Sequence, residues 1–210
     1  YGYLTIKSNN NKFFQTGRYV GNGADNRNLV DWEGTFFQPD IVWIHRITDG
    51  NQGCMRTSAY VGDLAQPVVG VAAINMIQAF LPNGFQLGTN GIVNSAGEIY
   101  DWWALKAIPG AVAVGSFVGD ATARTIDVGF APTAVLVKNT ATSDSFRLLT
   151  SVMVAGGFPC MGLSAVAADA NEISGLTATG FTLGTAATIN GAGQTITYIA
   201  LRDGEYYLGD

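Results

Sequence analysis

Gly84-Phe85-Gln86-Leu87-Gly88-Thr89 is written again as Gly180-Phe181-Thr182-Leu183-Gly184-Thr185, at an offset of 96 residues. Self-similarity at this scale comes before any single element, because it sets the architecture. The same offset carries Asn94 and Gly97 onto Asn190 and Gly193, and Ala104-Leu105-Lys106 onto Ala200-Leu201-Arg202. Upstream, Gly17-Arg18-Tyr19-Val20-Gly21 meets Gly115-Ser116-Phe117-Val118-Gly119 at 98, and Pro39-Asp40-Ile41-Val42-Trp43-Ile44-His45 meets Pro132-Thr133-Ala134-Val135-Leu136-Val137-Lys138 at 93. The first copy thus holds five extra residues between those two blocks, in a loop, where insertions cost little. The chain divides into an N-terminal arm (1–16), a first repeat (17–106), a short apolar linker (107–114), a second repeat (115–202) and a C-terminal tail (203–210).

Within each copy the periodicity is that of strands. Ile41-Val42-Trp43-Ile44 and Ala134-Val135-Leu136-Val137 are apolar β-formers starting just after a Pro, where a strand is free to begin. Each copy closes on another strand, within Gly97–Leu105 and Gln194–Leu201. Glycines before Phe85 and Phe181, and the tracts Asn94–Gly97 and Asn190–Gly193, supply turn residues between strands. The expected fold is all-β: two tandem antiparallel β-sandwich domains, jelly-roll-like, related by internal duplication. Ala72–Phe80 and Ala165–Glu172 are the only segments that could form short helices.

Composition narrows the function. The 210 residues are 48% hydrophobic and only 13% charged, with 27 Gly, against an average near 25% charged. Such a chain has ample apolar surface to bury, which argues against disorder. A net charge of −5 and the absence of any Lys/Arg run argue against a nucleic-acid partner, whose phosphates need clustered cations, and disfavour anionic membranes. The apolar stretch Val68–Leu81 is interrupted by Asn75 and Gln78 and is too short to span a bilayer. The chain starts at Tyr1 rather than Met, so the natural start is expected to be missing or processed, although Tyr1–Phe14 is polar and Asn-rich and lacks the apolar centre of a secretory signal. Cys54 and Cys160 are too few for a disulfide framework and are expected as buried free thiols, with a single inter-repeat bridge as the alternative.

At the repeated blocks the sequence resembles a tandem β repeat of bacteriophage virion structural proteins of the tail-fibre-like kind. The likeness lies in Gly17-Arg18-Tyr19-Val20-Gly21-Asn22-Gly23, in Phe37-Gln38-Pro39-Asp40-Ile41-Val42-Trp43-Ile44-His45, in Gly84-Phe85-Gln86-Leu87 and in Tyr100-Asp101-Trp102-Trp103-Ala104. The second copy contributes Gly129-Phe130-Ala131-Pro132 and Val135-Leu136-Val137-Lys138-Asn139. His45 stands where the pattern has Lys, Phe36-Phe37 replaces its Gly-Phe, and the second copy lacks both the Asp after its Pro and the Trp. The resemblance implies a virion surface module assembled in the host cytoplasm and exposed on the particle exterior, and it carries no catalytic set.

The inventory of reactive side chains agrees with a non-enzymatic protein. One His and two Cys allow a nucleophilic site only around His45, which sits within a strand with no paired acid and nucleophile motif. They also supply too few ligands for a four-coordinate zinc site, and no calcium-loop motif is present, so no metal or cofactor is expected. Asp25, Asp31, Asp40, Asp49, Glu98 and Asp101 are read as solvated loop or strand-end acids rather than a glycosidase pair, since Glu98 and Asp101 face Gln194 and Thr197 in the second copy.

All four Trp fall in the first copy. Trp43 and Trp103 align with Leu136 and Ile199 and are expected in the core or a subunit contact, leaving Trp32 and Trp102 as binding candidates alongside Tyr206 and Tyr207 in the tail. The expected partners are the chain itself, as a homo-oligomer for which a trimer is one closed arrangement, and capsid or tail proteins. A head decoration (cement) protein or a fibre or knob component fits this reading. The alternative is a carbohydrate-binding host-receptor module of a tail fibre, with a host glycan as partner.

Overall fold

The computed structural model describes residues 13–30, 37–48, 53–163, 169 and 171–204. The described chain is almost all β and divides into two compact units, Phe13–Ala107 apart from Val69–Val71, and Ile108–Gly204.

The first unit comprises β1 (Phe14–Val20), β2 (Arg27–Val30), β3 (Ile41–Arg46), β4 (Cys54–Thr57), β5 (Gln66–Pro67), β6 (Ile77–Leu81), β7 (Gly84–Leu87), the one-turn helix α1 (Gly91–Asn94) and β8 (Ile99–Leu105). The second comprises β9 (Val112–Val118), β10 (Arg124–Asp127), β11 (Ala134–Asn139), β12 (Arg147–Thr150), α2 (Ser151–Ala155), β13 (Met161–Gly162), β14 (Ile173–Leu176), β15 (Gly180–Leu183), α3 (Ala187–Asn190) and β16 (Thr195–Leu201).

Each unit is a five-stranded sheet and a three-stranded one, antiparallel throughout. The orders are β1-β8-β3-β4-β5 with β2-β7-β6, and β9-β16-β11-β12-β13 with β10-β15-β14. Every strand of the second unit is thus the strand eight places earlier in the first, and the duplication read from the sequence is a duplication of topology. First strand beside last, and second beside second-to-last, is shared with a jelly roll, from which each unit departs by keeping its third, fourth and fifth strands side by side in one sheet. Even the irregularity repeats, with register shifts at Ile77/Ala79 on β6 and Ile173/Gly175 on β14. Helix α2, capped by the Thr150 hydroxyl accepting from the Met153 N–H, has no counterpart in the first unit.

Strand alternation builds the cores. In the first unit Tyr19, Val42, Ile44, Tyr100 and Ala104 from the large sheet meet Ile77, Phe85 and Leu87 from the small one. In the second, Val135, Val137, Leu149, Ile196 and Ala200 meet Ile173, Phe181 and Leu183. Phe85 and Phe181 are fully buried, worth about 1.5–3 kcal/mol each in apolar transfer. The aromatic packing around them is duplicated as well. Trp102 meets Phe85 edge-on at 5.3 Å, and Tyr198 meets Phe181 edge-on at 5.5 Å. Both rings lie across a glycine on the neighbouring strand, Gly17 and Gly115, where a Cβ would come within 2.6 Å and 2.4 Å of the ring or its hydroxyl.

The turn ahead of each closing strand is fixed by one buried asparagine. Asn94 Nδ2 donates to the carbonyls of Ala24 (2.8 Å) and Gly88 (2.9 Å), while its Oδ1 accepts from the Asn22 N–H (3.0 Å). Asn190 Nδ2 donates to Thr122 (2.8 Å) and Gly184 (2.9 Å), and its Oδ1 accepts from the Asp120 N–H (3.2 Å). Gly97 and Gly193 then take φ of 83° and 73°, left-handed values that favour glycine.

Two helix expectations are corrected or fall outside the described chain. Ala72–Phe80 is not helical: Asn75 takes φ 62°, Ala73 bridges to Ala65, and β6 starts at Ile77. The short apolar run is pulled into extended backbone by pairing with β7, which buries Ile77 against the core. Of Ala165–Glu172, residues 165–168 and 170 lie outside the described residues; β14 follows at Ile173. The helices that do form among the described residues, α1, α2 and α3, run four or five residues each and are too short to carry a periodic signal.

Candidate functional site

On the face of the large sheet turned away from the first unit's core, three neighbouring strands place side chains in two rows. Register pairs Thr16 of β1 with Trp103 of β8, and Trp103 with Trp43 of β3; two residues along, Arg18 pairs with Asp101 and Asp101 with His45. The first row is an aromatic platform: the Trp43 and Trp103 rings are near-parallel, 12° apart, with centroids separated by 6.1 Å. The second is polar. Arg18 Nε donates to Asp101 Oδ1 at 2.6 Å and Nη2 to Oδ2 at 2.9 Å, a two-point pair that fixes both side chains.

These residues line an open groove of about 530 Å³, completed by Gly17 and Trp102. That volume is within the range of about 300–1,000 Å³ usual for small-ligand sites. The hydrogen bond from Arg18 holds the Asp101 carboxyl below the usual carboxylate range, and the same bond raises the guanidinium. The pair stays ionised at neutral pH, with its charges compensating each other.

The second unit carries the same rows with different chemistry. Val114, Ile199 and Leu136 replace Thr16, Trp103 and Trp43; Ser116, Thr197 and Lys138 replace Arg18, Asp101 and His45. Lys138 is buried, with Nζ donating to the carbonyls of Thr142 (2.8 Å) and Asp144, and burial pushes its amine down to about 8. The duplicated scaffold therefore offers an aromatic, hydrogen-bonding face in the first unit alone.

Trp102, a binding candidate on sequence grounds, has its ring packed against the core beside Phe85, while Trp103, its neighbour in the strand, points to the groove. The two do occupy opposite faces, as alternation requires. Trp43, aligned with Leu136, stands on the groove face rather than in the core cluster. Trp32, Tyr206 and Tyr207 lie outside the described residues. Thr16 and Arg18 were not singled out from the sequence. The available signal was that Arg18 sits out of phase with the core-facing Tyr19 and is Ser116 in the second copy.

Among the described residues, the remaining candidate acids and the two thiols have structural partners. Asp40 Oδ2 accepts from the Ala107 N–H at 2.8 Å, clamping the start of β3 to the end of β8. Thr133, its counterpart, does the same through Oγ1, which accepts from the Asp203 N–H at 2.9 Å. The missing Asp after Pro132 is therefore a substitution that preserves the clamp. Glu98 accepts from the Thr48 hydroxyl, and Asp25 from the Gln78 amide at 2.9 Å. Asp31 and Asp49 lie outside the described residues.

Cys54 and Cys160 are both buried and unpaired as a disulfide. Burial pushes each thiol up to about 12. Cys160 sits in a buried polar cluster in which Glu172 accepts from Arg147 Nε (2.6 Å), the Thr188 hydroxyl (2.8 Å) and the thiol (3.2 Å). Among the described residues no group of three or more His, Cys, Asp or Glu side chains gathers as a metal site, and no helix is long and apolar enough to cross a membrane.

Comparison of the chain with protein-family models, with curated proteins and with solved structures returned no match.

Proposed function

We propose that this chain is a non-enzymatic structural protein on the exterior of a bacteriophage particle, a head decoration or cement protein or a fibre or knob component, acting by protein–protein adhesion. The observation that carries the adhesive part is a run of exposed apolar side chains over 151–163, in and just after the helix unique to the second unit: Val152, Val154, Phe158, Met161 and Leu163, with Phe158 66% exposed. Clustered exposed apolar residues on a protein with few charges suit a covered surface better than bulk solvent. The phage assignment is supported by the repeat resemblance. Immunogold labelling or a density map of intact particles tests it: many copies on a head lattice or a few at the tail support the reading, and absence from purified particles refutes it.

A second reading, a carbohydrate-binding receptor module of a tail fibre, is favoured by one specific feature, the Trp43–Trp103 groove of the first unit.

A further inference from the structure

We infer that the groove on β1, β8 and β3 binds a neutral glycan of flat, equatorially substituted pyranoses joined by β-linkages, of the glucose or N-acetylglucosamine type. The inference deepens the receptor-module reading and rests on it; it is independent of where on a particle the chain sits.

The argument starts from the platform. Near-parallel indoles stacked across paired strands present a rigid apolar aromatic face beside the polar row. An all-equatorial pyranose turns its hydroxyls outward in the ring plane and leaves only C–H bonds on its two faces, so it can lie flat on such a surface. An axial hydroxyl or a bent α-linkage lifts successive rings away from it. The C–H groups carry partial positive charge and meet the negative face of the indole, the geometry that also favours cations over aromatic rings.

The polar row then selects among flat ligands. Arg18 and Asp101 lie two residues along the strands from the Trp pair, about 7 Å along the sheet, and offer donors and acceptors on the same face. Because they neutralise each other, the pair presents no net charge to attract a phosphate or a polyanion, and a neutral ligand with paired donor and acceptor groups is the complement. His45, in register with Asp101, adds a further polar edge. A glycan is therefore preferred to a proline-rich peptide, the other common guest of aromatic grooves, which brings carbonyl acceptors but no hydroxyl donors for Asp101.

Second-unit chemistry supplies the internal contrast. With Leu136, Ile199 and Ser116 in the equivalent places, the same sheet has neither the platform nor the ion pair. The expected stoichiometry is one site per chain.

The test uses the full chain, titrated by calorimetry and by Trp emission with chitohexaose, cellohexaose, maltohexaose and decaproline. Expected is saturable binding of chitohexaose or cellohexaose, at one site per chain, with affinity changing by less than about twofold between low and physiological salt. Trp103→Ala and Arg18→Ala each weaken it by about tenfold or more, the loss of a single stacking or charge-assisted contact. Ser116→Ala, at the equivalent second-unit position, leaves it unchanged. Melting curves within a few degrees of the parent exclude misfolding of Trp103→Ala, and Trp103→Phe, which keeps a smaller platform, falls between. Binding of maltohexaose alone, lost in Trp103→Ala, overturns the flat β-linked assignment but leaves the receptor-module reading standing. Binding of decaproline alone, or of no ligand in the set, overturns the inference, and binding that survives Trp103→Ala overturns the site.

Discussion

Replacing Asn94 by Ala removes the side chain on which three loops of the first unit converge. Its amide gives two hydrogen bonds to the carbonyls of Ala24 and Gly88, and its oxygen accepts one from the Asn22 N–H and one from Arg27 Nη1 at 3.2 Å. Asn94 is fully buried, so the backbone partners it leaves behind are not freely rehydrated. At about 1 kcal/mol net per hydrogen bond, with an added penalty for buried groups left unpaired, the loss is about 3–5 kcal/mol. For a unit of this size each kcal/mol lowers the melting temperature by about 4–8 °C, so the first unit's transition should fall by more than about 12 °C in scanning calorimetry. Asn94→Asp separates hydrogen bonding from size. It keeps the acceptor but replaces the donating amide by a carboxylate facing two carbonyl oxygens, and should destabilise at least as much. Asn190→Ala, with three equivalent bonds, should lower the second unit by a comparable amount and speed hydrogen exchange at the Asp120 amide. A drop of under about 4 °C for Asn94→Ala, or a parental melt for Asn94→Asp, would refute the view that these residues hold the turns in place.

Three further outcomes follow from the same geometry. Glu172→Gln leaves Arg147 buried beside an uncharged partner and should cost about 3–5 kcal/mol in urea denaturation, whereas the double change Arg147→Met with Glu172→Leu should recover at least about half of it; equal losses would show that the ion pair is not the issue. Gly115→Ala should destabilise by about 1–3 kcal/mol by forcing a methyl into the Tyr198 ring, and the cost should shrink in a Tyr198→Ala background; additive effects in that cycle would mean the two do not touch. The buried thiols, raised to about 12, remain protonated in the native state while an unfolded thiol ionises near pH 8.5. Their contribution is complete below about pH 8.5 and is lost as pH rises toward 12, so the double variant Cys54→Ala and Cys160→Ala should have a flatter alkaline stability profile than the parent. Reaction of either native thiol with a disulfide reagent at pH 8, without denaturant, would contradict this burial.

Much of the candidate site was legible as ingredients and not as a place. The repeat alignment set Trp43 and Trp103 against aliphatic residues of the second copy and so assigned them to the core or a subunit contact, while alternation put Trp102 and Trp103 on opposite faces. Neither observation says which face is covered. That depends on the small sheet β2-β7-β6 closing over Tyr100, Trp102 and Ala104, a contact between residues far apart in the chain. The groove needed one more piece of tertiary information, the order β1-β8-β3, which sets the first strand beside the last and so brings Thr16 and Arg18 within reach of Trp103 and Asp101.

The sequence alone determined the duplication, the positions of the closing strands and their glycine turns, and the scarcity of reactive side chains. These are local or periodic properties, fixed by side-chain shape and backbone freedom within a few residues. Only the tertiary structure decided that Ala72–Phe80 is drawn out toward a strand, that Thr133 replaces Asp40 in the same clamp, and that Trp43 and Trp103 rather than Trp102 form the open face of the groove. The physical reason is that each depends on contacts between residues far apart in the chain, which local patterns do not specify. A period of two tells which residues share a side of a strand, and only the packing of a second sheet determines which side is buried.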